Sequence, residues 1–244
     1  MNQHPKLRDV HEAGAKITEV AYPQPSMEFP LQEVLDRITP QTRAVILSNP
    51  NNPTGTGLSL LSIERILKRA KKAVVMVDEA YYEFSGVTAI AEIERVPHLF
   101  VCRTFSKVFG MAGMRLGCLF SHRANIQYLH KAQSPYSVNS LAVMAAQAAV
   151  ADTAYIENYV AEVLAARELL YVGLEKLGIA YVPSSANFVL GHFGKRALEV
   201  RDRLLGQAIL VRDRSYEAPG CVRITVGTRA QTRRLLVALE EIWN

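Results

Sequence analysis

Short apolar runs alternate with segments of helical spacing in the first half of this chain, and that alternation limits the folds open to it. Apolar residues at 31, 34, 35 and 38, and again at 63, 66, 67 and 70, recur as on one face of a helix. Strands interleaved with helices imply βαβ units and a mostly parallel sheet. The predicted strands of this half are 16–21, 43–48, 73–78, 99–103 and 116–121.

The second half is helical at first and then mixed. Segments 138–151 and 154–177 are predicted helices, and Gly178 is predicted to end the longer one in a left-handed conformation. The last third reads as a smaller α/β unit, with strands at 181–190, 209–213 and 221–226 and helices at 195–205 and 229–242. We therefore expect an α/β protein with a large domain at 1–158 and a small C-terminal domain at 159–244.

Polar motifs follow three of the predicted strands. Asn52 lies in a proline-rich turn after 43–48, Asp78 ends 73–78, and Lys107 follows 99–103. Ligands of parallel α/β sheets bind outside the carboxyl ends of the strands. These three residues are therefore expected to meet in one crevice.

Lys107 is surrounded by groups that suit covalent chemistry beside a phosphate. An amine that attacks a carbonyl must lose its proton, and a nearby cation or a partly dry pocket lowers its pKa. Thr104, Ser106 and Arg115 supply hydroxyl and guanidinium donors for a phosphate. An isolated Ser-Lys pair is far more often part of a surface turn, so Lys107 alone would not indicate this chemistry.

Asp78, Tyr81 and Asn52 could hold an aromatic ring. A carboxylate at the end of a strand can pair with a protonated ring nitrogen, and the tyrosine and the asparagine can reach a ring oxygen. Each also has an ordinary structural interpretation: a loop or helix-capping aspartate, a packed tyrosine, and an asparagine that merely suits a turn.

Composition narrows the function classes. The net charge is +5 and the pI about 9.1, but the basic residues are scattered without an aromatic-interleaved stripe, so nucleic acid is not an expected partner. Three single cysteines argue against a disulfide scaffold and fit a reducing cytosol. The six histidines lack ligand spacing, and we assign no metal. No apolar run is long enough to predict a membrane span.

Taken together, the motifs resemble those of fold-type-I pyridoxal-phosphate-dependent aminotransferases, most closely the histidinol-phosphate aminotransferases. They occur in the family's order: the turn 49–55, Asp-Glu-Ala-Tyr at 78–81, and Thr-Phe-Ser-Lys at 104–107. Segments 103–117 and 209–227 carry the closer match. The resemblance implies a three-layer α/β fold with a mostly parallel sheet, pyridoxal 5′-phosphate as cofactor, and a cytoplasmic homodimer active in histidine biosynthesis.

The resemblance also implies roles for individual residues. Lys107 would bind the cofactor covalently and then move a proton as general base and acid. Arg223 would bind the substrate α-carboxylate as a bidentate fork, assisted by Asn187, and Arg212 would bind a distal phosphate. The cofactor-binding residues implied are Asn52, Asp78, Tyr81, Thr104, Ser106, Lys107 and Arg115.

The family pattern begins before this sequence does. A family member is expected to have on the order of 100 further residues ahead of the matching segment, which supply part of the phosphate site, a ring-stacking aromatic and a dimer arm. The expected reaction is amino transfer between an amino-acid-like substrate, histidinol phosphate foremost, and 2-oxoglutarate. The alternatives are an aromatic-amino-acid aminotransferase, a threonine-phosphate decarboxylase and a truncated, non-catalytic homologue.

Overall fold

The computed structural model describes residues 14–243 and contains two four-stranded sheets. The strands are β1 (Ala44–Ser48), β2 (Val74–Asp78), β3 (Leu99–Thr104), β4 (Gly117–Ser121), β5 (Ala180–Val182), β6 (Phe188–His192), β7 (Arg212–Asp213) and β8 (Cys221–Thr225). The helices are α1 (Leu31–Arg37), α2 (Leu60–Arg69), α3 (Tyr82–Ser85), α4 (Arg123–Ala132), α5 (Ser140–Ala151), α6 (Thr153–Lys176), α7 (Ala197–Gly206) and α8 (Arg229–Trp243). The predicted α/β class is confirmed.

The first sheet has the strand order β1-β2-β3-β4. β1, β2 and β3 run parallel, and β4 pairs antiparallel with β3. Helix α2 makes the crossover from β1 to β2 that a parallel pair requires. The connection from β3 to β4 holds only a three-ten turn, Ala112–Met114, and the chain returns beside β3 in the opposite direction. The sheet is thus mostly parallel, as expected.

Helix α2 covers one face of this sheet. The Ser59 side chain caps its start by accepting a hydrogen bond from the backbone N–H of Ser62 at 3.1 Å. Ile63 and Ile66 are fully buried on the face that packs on the strands. Burial of each such side chain contributes roughly 1.5–3 kcal/mol, so the apolar spacing of α2 fixes how it docks.

The second sheet has the order β5-β6-β8-β7, and all of its pairings are antiparallel. The prediction of one strand over 181–190 is wrong, because a turn separates β5 from β6. Pro183 has no N–H to donate, while the N–H groups of Ser184 and Ser185 bond to the Tyr171 hydroxyl and the Gly55 carbonyl, each at 2.8 Å. These N–H groups therefore cannot take part in a continuous strand ladder from 181 to 190.

Two further strand predictions need correction. Segment 16–21 forms no strand: Val20 packs against the core of the first sheet, but the backbone has no ladder partner within residues 14–243. The strand predicted at 209–213 shrinks to β7, because Ile209 donates to Leu204 O at 2.9 Å and closes the end of α7. In neither place do the apolar residues belong to a strand, and Leu210 is 81% exposed.

Helix α6 joins the regions of the two sheets. It ends as predicted, with Gly178 left-handed (φ 66°) and Ile179 N–H bonded to Leu174 O at 2.9 Å. Its buried face shares one core with Tyr81 and Val108 from the loops of the first sheet. The predicted domain boundary at 158 falls inside α6 and stays a prediction. Among residues 14–243, no helix is both long and apolar enough to cross a membrane.

Candidate active site

The carboxyl ends of β1, β2 and β3 lie side by side. Ser48, Asp78 and Cys102 occupy one register line across the three strands. Just beyond it, Asn49 N–H donates to Asp78 O at 2.9 Å and Glu79 N–H donates to Cys102 O at 2.8 Å. The segments that carry Asn52, Asp78 and Lys107 therefore leave the sheet at a single edge.

The turn that carries Asn52 is held rigidly. The buried Asn49 side chain accepts from Leu58 N–H at 2.8 Å and so closes the turn on itself. Gly55 is left-handed (φ 78°), and its carbonyl receives the Ser185 N–H from the loop between β5 and β6. This turn thus docks against the second sheet and fixes the position from which Asn52 projects.

Arg223 of β8 meets Asn52 at this point. Its Nη1 donates to Asn52 Oδ1 at 2.5 Å, and its Cζ lies 5.0 Å from the centre of the Phe188 ring. Its Nε is buried and has no hydrogen-bond partner in the described part of the chain. Burial is the main cause that lowers the pKa of Arg223, and the charges of Arg214 and Arg212 lower it further. Such a guanidinium favours an anionic ligand.

Lys107 approaches the same place from the first sheet. Its Nζ lies 5.2 Å from the centre of the Tyr81 ring. Tyr81 is buried and meets Phe188 edge-on, with ring centres 5.2 Å apart. Phe188 in turn lies beneath Arg223. Tyr81 and Phe188 therefore connect the lysine side of the site to the arginine side.

The remaining cofactor candidates make side-chain hydrogen bonds with residues two or three positions away in sequence. Asp78 Oδ1 accepts from Ala80 N–H at 3.1 Å, and Thr104 Oγ1 accepts from Ser106 N–H at 3.1 Å. Arg115 is exposed and left-handed (φ 54°), and its Nη1 donates to Ala112 O at 2.8 Å. The hydrogen bond from Ala80 N–H to Asp78 is the kind of contact that a loop or helix-capping aspartate makes. The contacts of Arg115 do not join it to the Tyr81 and Arg223 cluster.

The two weaker substrate candidates lie on the second sheet. Arg212 is exposed on β7 and stands directly opposite Arg223 in the strand register. The side chains of directly opposed residues share one face, so both guanidinium groups belong to the same face of the sheet. Asn187 precedes β6, and its carbonyl accepts from Val226 N–H at 2.8 Å.

Sequence reasoning missed three residues here. Phe188 packs under Arg223, and Arg214 is a buried neighbour of Arg223 whose Nε has no partner among the described residues. Glu79, beside Asp78, is fully buried and ion-paired with Arg103. The Asp-Glu pair was visible in sequence, but adjacent charges give no sign of which one is buried.

Comparison with known proteins gives a consistent result. The family model for aminotransferase class I and II matches residues 6–239. The histidinol-phosphate aminotransferase 1 of Carboxydothermus hydrogenoformans is 40% identical over 202 residues, which is 83% of this chain and 57% of the relative. That of Symbiobacterium thermophilum is 38% identical over 231 residues, or 93% of this chain and 63% of the relative.

A solved structure agrees with the sequence relatives. The histidinol-phosphate aminotransferase of Sinorhizobium meliloti in complex with pyridoxal-5′-phosphate superposes with a TM-score of 0.82 at 27% identity, covering 96% of this chain and 67% of that one. Enzymes of this family use pyridoxal 5′-phosphate. This chain spans less than two thirds of the length of the two sequence relatives. The family model nonetheless matches residues 6–239 of this chain, and the chain belongs to the class I and II aminotransferase family.

Proposed function

We propose that this chain acts as a pyridoxal-phosphate-dependent transaminase, moving an amino group between an amino-acid-like substrate, histidinol phosphate foremost, and 2-oxoglutarate. The observation that carries the proposal is the line of contacts from Lys107 through Tyr81 and Phe188 to Arg223 and Asn52. It joins an amine, two aromatic rings and a guanidinium, the group that pairs with carboxylates by two parallel hydrogen bonds. The names of the relatives support the choice of substrate.

The residues at the sheet edge fit the cofactor by the chemistry of their groups. Asp78 would pair with the pyridine nitrogen, and Tyr81 and Asn52 would donate to the ring oxygen. The phosphate would be held by three donors: Thr104, Ser106 and Arg115. When bound, the cofactor supplies an electron sink that stabilises negative charge at the substrate Cα.

The chain's own groups would then perform two tasks. Lys107 would hold the cofactor through its Nζ and afterwards carry a proton to and from the substrate Cα. Arg223 would orient the substrate by a bidentate contact with its carboxylate, and the unpartnered Nε of this side chain supports that role. Arg212 would bind a distal phosphate, with Asn187 assisting Arg223.

The chain would work as a cytoplasmic homodimer, as the family resemblance implies. The large, cofactor-binding domain would comprise residues 1–158 and the small domain residues 159–244, with α6 crossing between them.

The proposal is tested by titrating the purified protein with pyridoxal phosphate and recording the visible absorption spectrum. We expect a band of bound cofactor that Lys107→Ala abolishes and that the exposed-site control Lys71→Ala retains. Glutamate should then convert the bound cofactor to its amino form without loss of carbon dioxide, which separates transamination from decarboxylation. The same weak spectrum from wild type and Lys107→Ala would refute the proposal.

A further inference from the structure

A buried ion pair lies behind the proposed site. Glu79 directly follows Asp78 and is fully buried. Its carboxylate accepts hydrogen bonds from Arg103 Nε at 3.1 Å and Nη2 at 3.0 Å, from Thr88 Oγ1 at 2.8 Å, and from Ala89 N–H at 2.7 Å. A buried carboxylate requires this degree of pairing, because an unpaired one would be strongly disfavoured.

Arg103 is fixed from several sides. Its Nη2 also donates to Thr88 Oγ1 at 2.8 Å, and its Cζ lies 3.4 Å from the centre of the Tyr82 ring. Its backbone is held as well: a Cβ on Gly117 of β4 would approach Arg103 O to 2.9 Å, so the two strands are in close contact there. Neither the guanidinium nor the peptide of Arg103 can shift without breaking these contacts.

The pair joins β2 and β3 at the point where their ladder ends. Asp78 pairs with Cys102 in the register, so the next residues along the two strands are Glu79 and Arg103. Successive side chains of a strand point to opposite faces. The ion pair is therefore on the side opposite Asp78. Glu79 directly follows the end of β2, and Arg103 of β3 precedes Lys107 by four residues.

We propose that Glu79 and Arg103, bridged by Thr88, are positioning residues that fix the lysine loop 104–111 relative to Asp78. Replacing such a pair by apolar residues costs a fold little, so its stabilising effect alone does not explain a buried charge here. A rigid connection between the ring-nitrogen acid and the lysine does explain it. This inference rests on the proposed function where it concerns the cofactor. Its effect on the loop can be measured without cofactor.

The test compares Glu79→Gln and Thr88→Val with a matched control. Glu79→Gln removes the charge, and Thr88→Val removes only the bridging hydroxyl. The control is Glu162→Gln, which breaks the exposed pair that Glu162 of α6 makes with Arg229 of α8 at 2.8 Å, away from the sheet edge. Thr88→Ser, which retains a hydroxyl, is the conservative rescue.

We expect Glu79→Gln and Thr88→Val to speed amide hydrogen exchange of 104–111 in the cofactor-free protein by about tenfold or more, and to weaken pyridoxal phosphate binding by a similar factor. The pH midpoint of the bound cofactor's visible band should also shift, which a purely structural role would not produce. Thr88→Ser and Glu162→Gln should match wild type in loop exchange, cofactor affinity and pH midpoint.

The inference would be overturned if a folded Thr88→Val protein had unchanged loop exchange, cofactor affinity and pH midpoint. If Glu79→Gln does not fold, the Thr88→Val variant alone provides the test. If wild type itself shows no band of bound cofactor, the proposed function fails. The exchange measurement then still decides whether the pair holds the loop.

Discussion

Arg223 Nη1 donates a hydrogen bond to Asn52 Oδ1 across 171 positions of sequence. The contact joins β8 of the second sheet to the turn that follows β1 of the first. If Arg223 contacts the substrate and Asn52 contacts the cofactor, as proposed, this hydrogen bond couples the two binding sites directly. The relative placement of the two sheets therefore determines whether these two side chains meet.

Arg223→Lys should weaken the binding of every amino-acid substrate. Lysine keeps the charge but cannot form a two-point fork with a carboxylate or reach Asn52 in the same geometry. We expect the apparent dissociation constant of glutamate in the half-reaction to rise about 10–100-fold, with little change in cofactor affinity. Equal losses of glutamate and cofactor binding would instead indicate a collapsed site.

Arg212→Ala should distinguish phosphorylated from unphosphorylated substrates. The side chain is exposed, so its removal should change stability by no more than about 0.5 kcal/mol. We expect KM for histidinol phosphate to rise about tenfold or more and KM for an unphosphorylated amino acid to stay constant. An equal change for both substrates, measured side by side, would contradict the assignment of Arg212 to a distal phosphate.

Glu83→Gln should stabilise the protein at neutral pH but not in acid. Burial raises the pKa of the Glu83 carboxyl, and the backbone and Arg103 offset this only in part. The Glu83 carboxyl therefore holds its proton more tightly in the folded state than in the unfolded state. Wild-type stability then falls as the pH rises from the ordinary carboxyl pKa through the raised pKa of the folded state. The gain in the variant should be about 1 kcal/mol or less above that window.

Urea unfolding at a series of pH values measures this difference. Glu162→Gln gives a control of opposite sign, since the Arg229 backbone N–H, and then its guanidinium, lower the pKa of Glu162. That variant should lose stability relative to wild type above the ordinary carboxyl pKa and regain parity on acidification. A pH-independent difference for Glu83→Gln would show that its charge is not the cause.

Gly55→Ala should displace the turn that carries Asn52. A Cβ there would lie 3.0 Å from Ser184 Cα in the second sheet's loop, and the residue is left-handed. Gly86 has a similar φ of 69°, but a Cβ on it would meet nothing within 4 Å. Gly86→Ala should therefore cost only the backbone strain, about 1 kcal/mol, and Gly55→Ala about 1–3 kcal/mol more. Similar unfolding midpoints for both would show that the turn does not dock tightly.

Strands β1 to β4 and the polar residues at or after the ends of β1, β2 and β3 were predictable because both are local patterns. The apolar run before Asp78 and the motif around Lys107 can each be recognised from a short stretch of sequence. The alternation of strands and helices predicts that β1, β2 and β3 run parallel. The burial of Glu79 was not predictable, because its partner Arg103 is 24 positions away and both residues look like ordinary strand-end charges. The split between β5 and β6 likewise depends on Tyr171 and Gly55, which lie outside the segment.

Ala208→Gly should stabilise the protein without touching the proposed site. Ala208 follows α7 in a left-handed conformation (φ 57°), and its N–H and that of Ile209 bond to Leu205 O and Leu204 O, each at 2.9 Å. This is the C-terminal arrangement in which glycine is preferred. Relief of roughly 1–2 kcal/mol of left-handed strain exceeds the extra flexibility that glycine gives the unfolded chain, about 0.4–1 kcal/mol. We expect a net gain of about 0.5–1 kcal/mol in urea unfolding and unchanged cofactor affinity, whereas a loss of stability would show that Ala208 makes contacts that offset its strain.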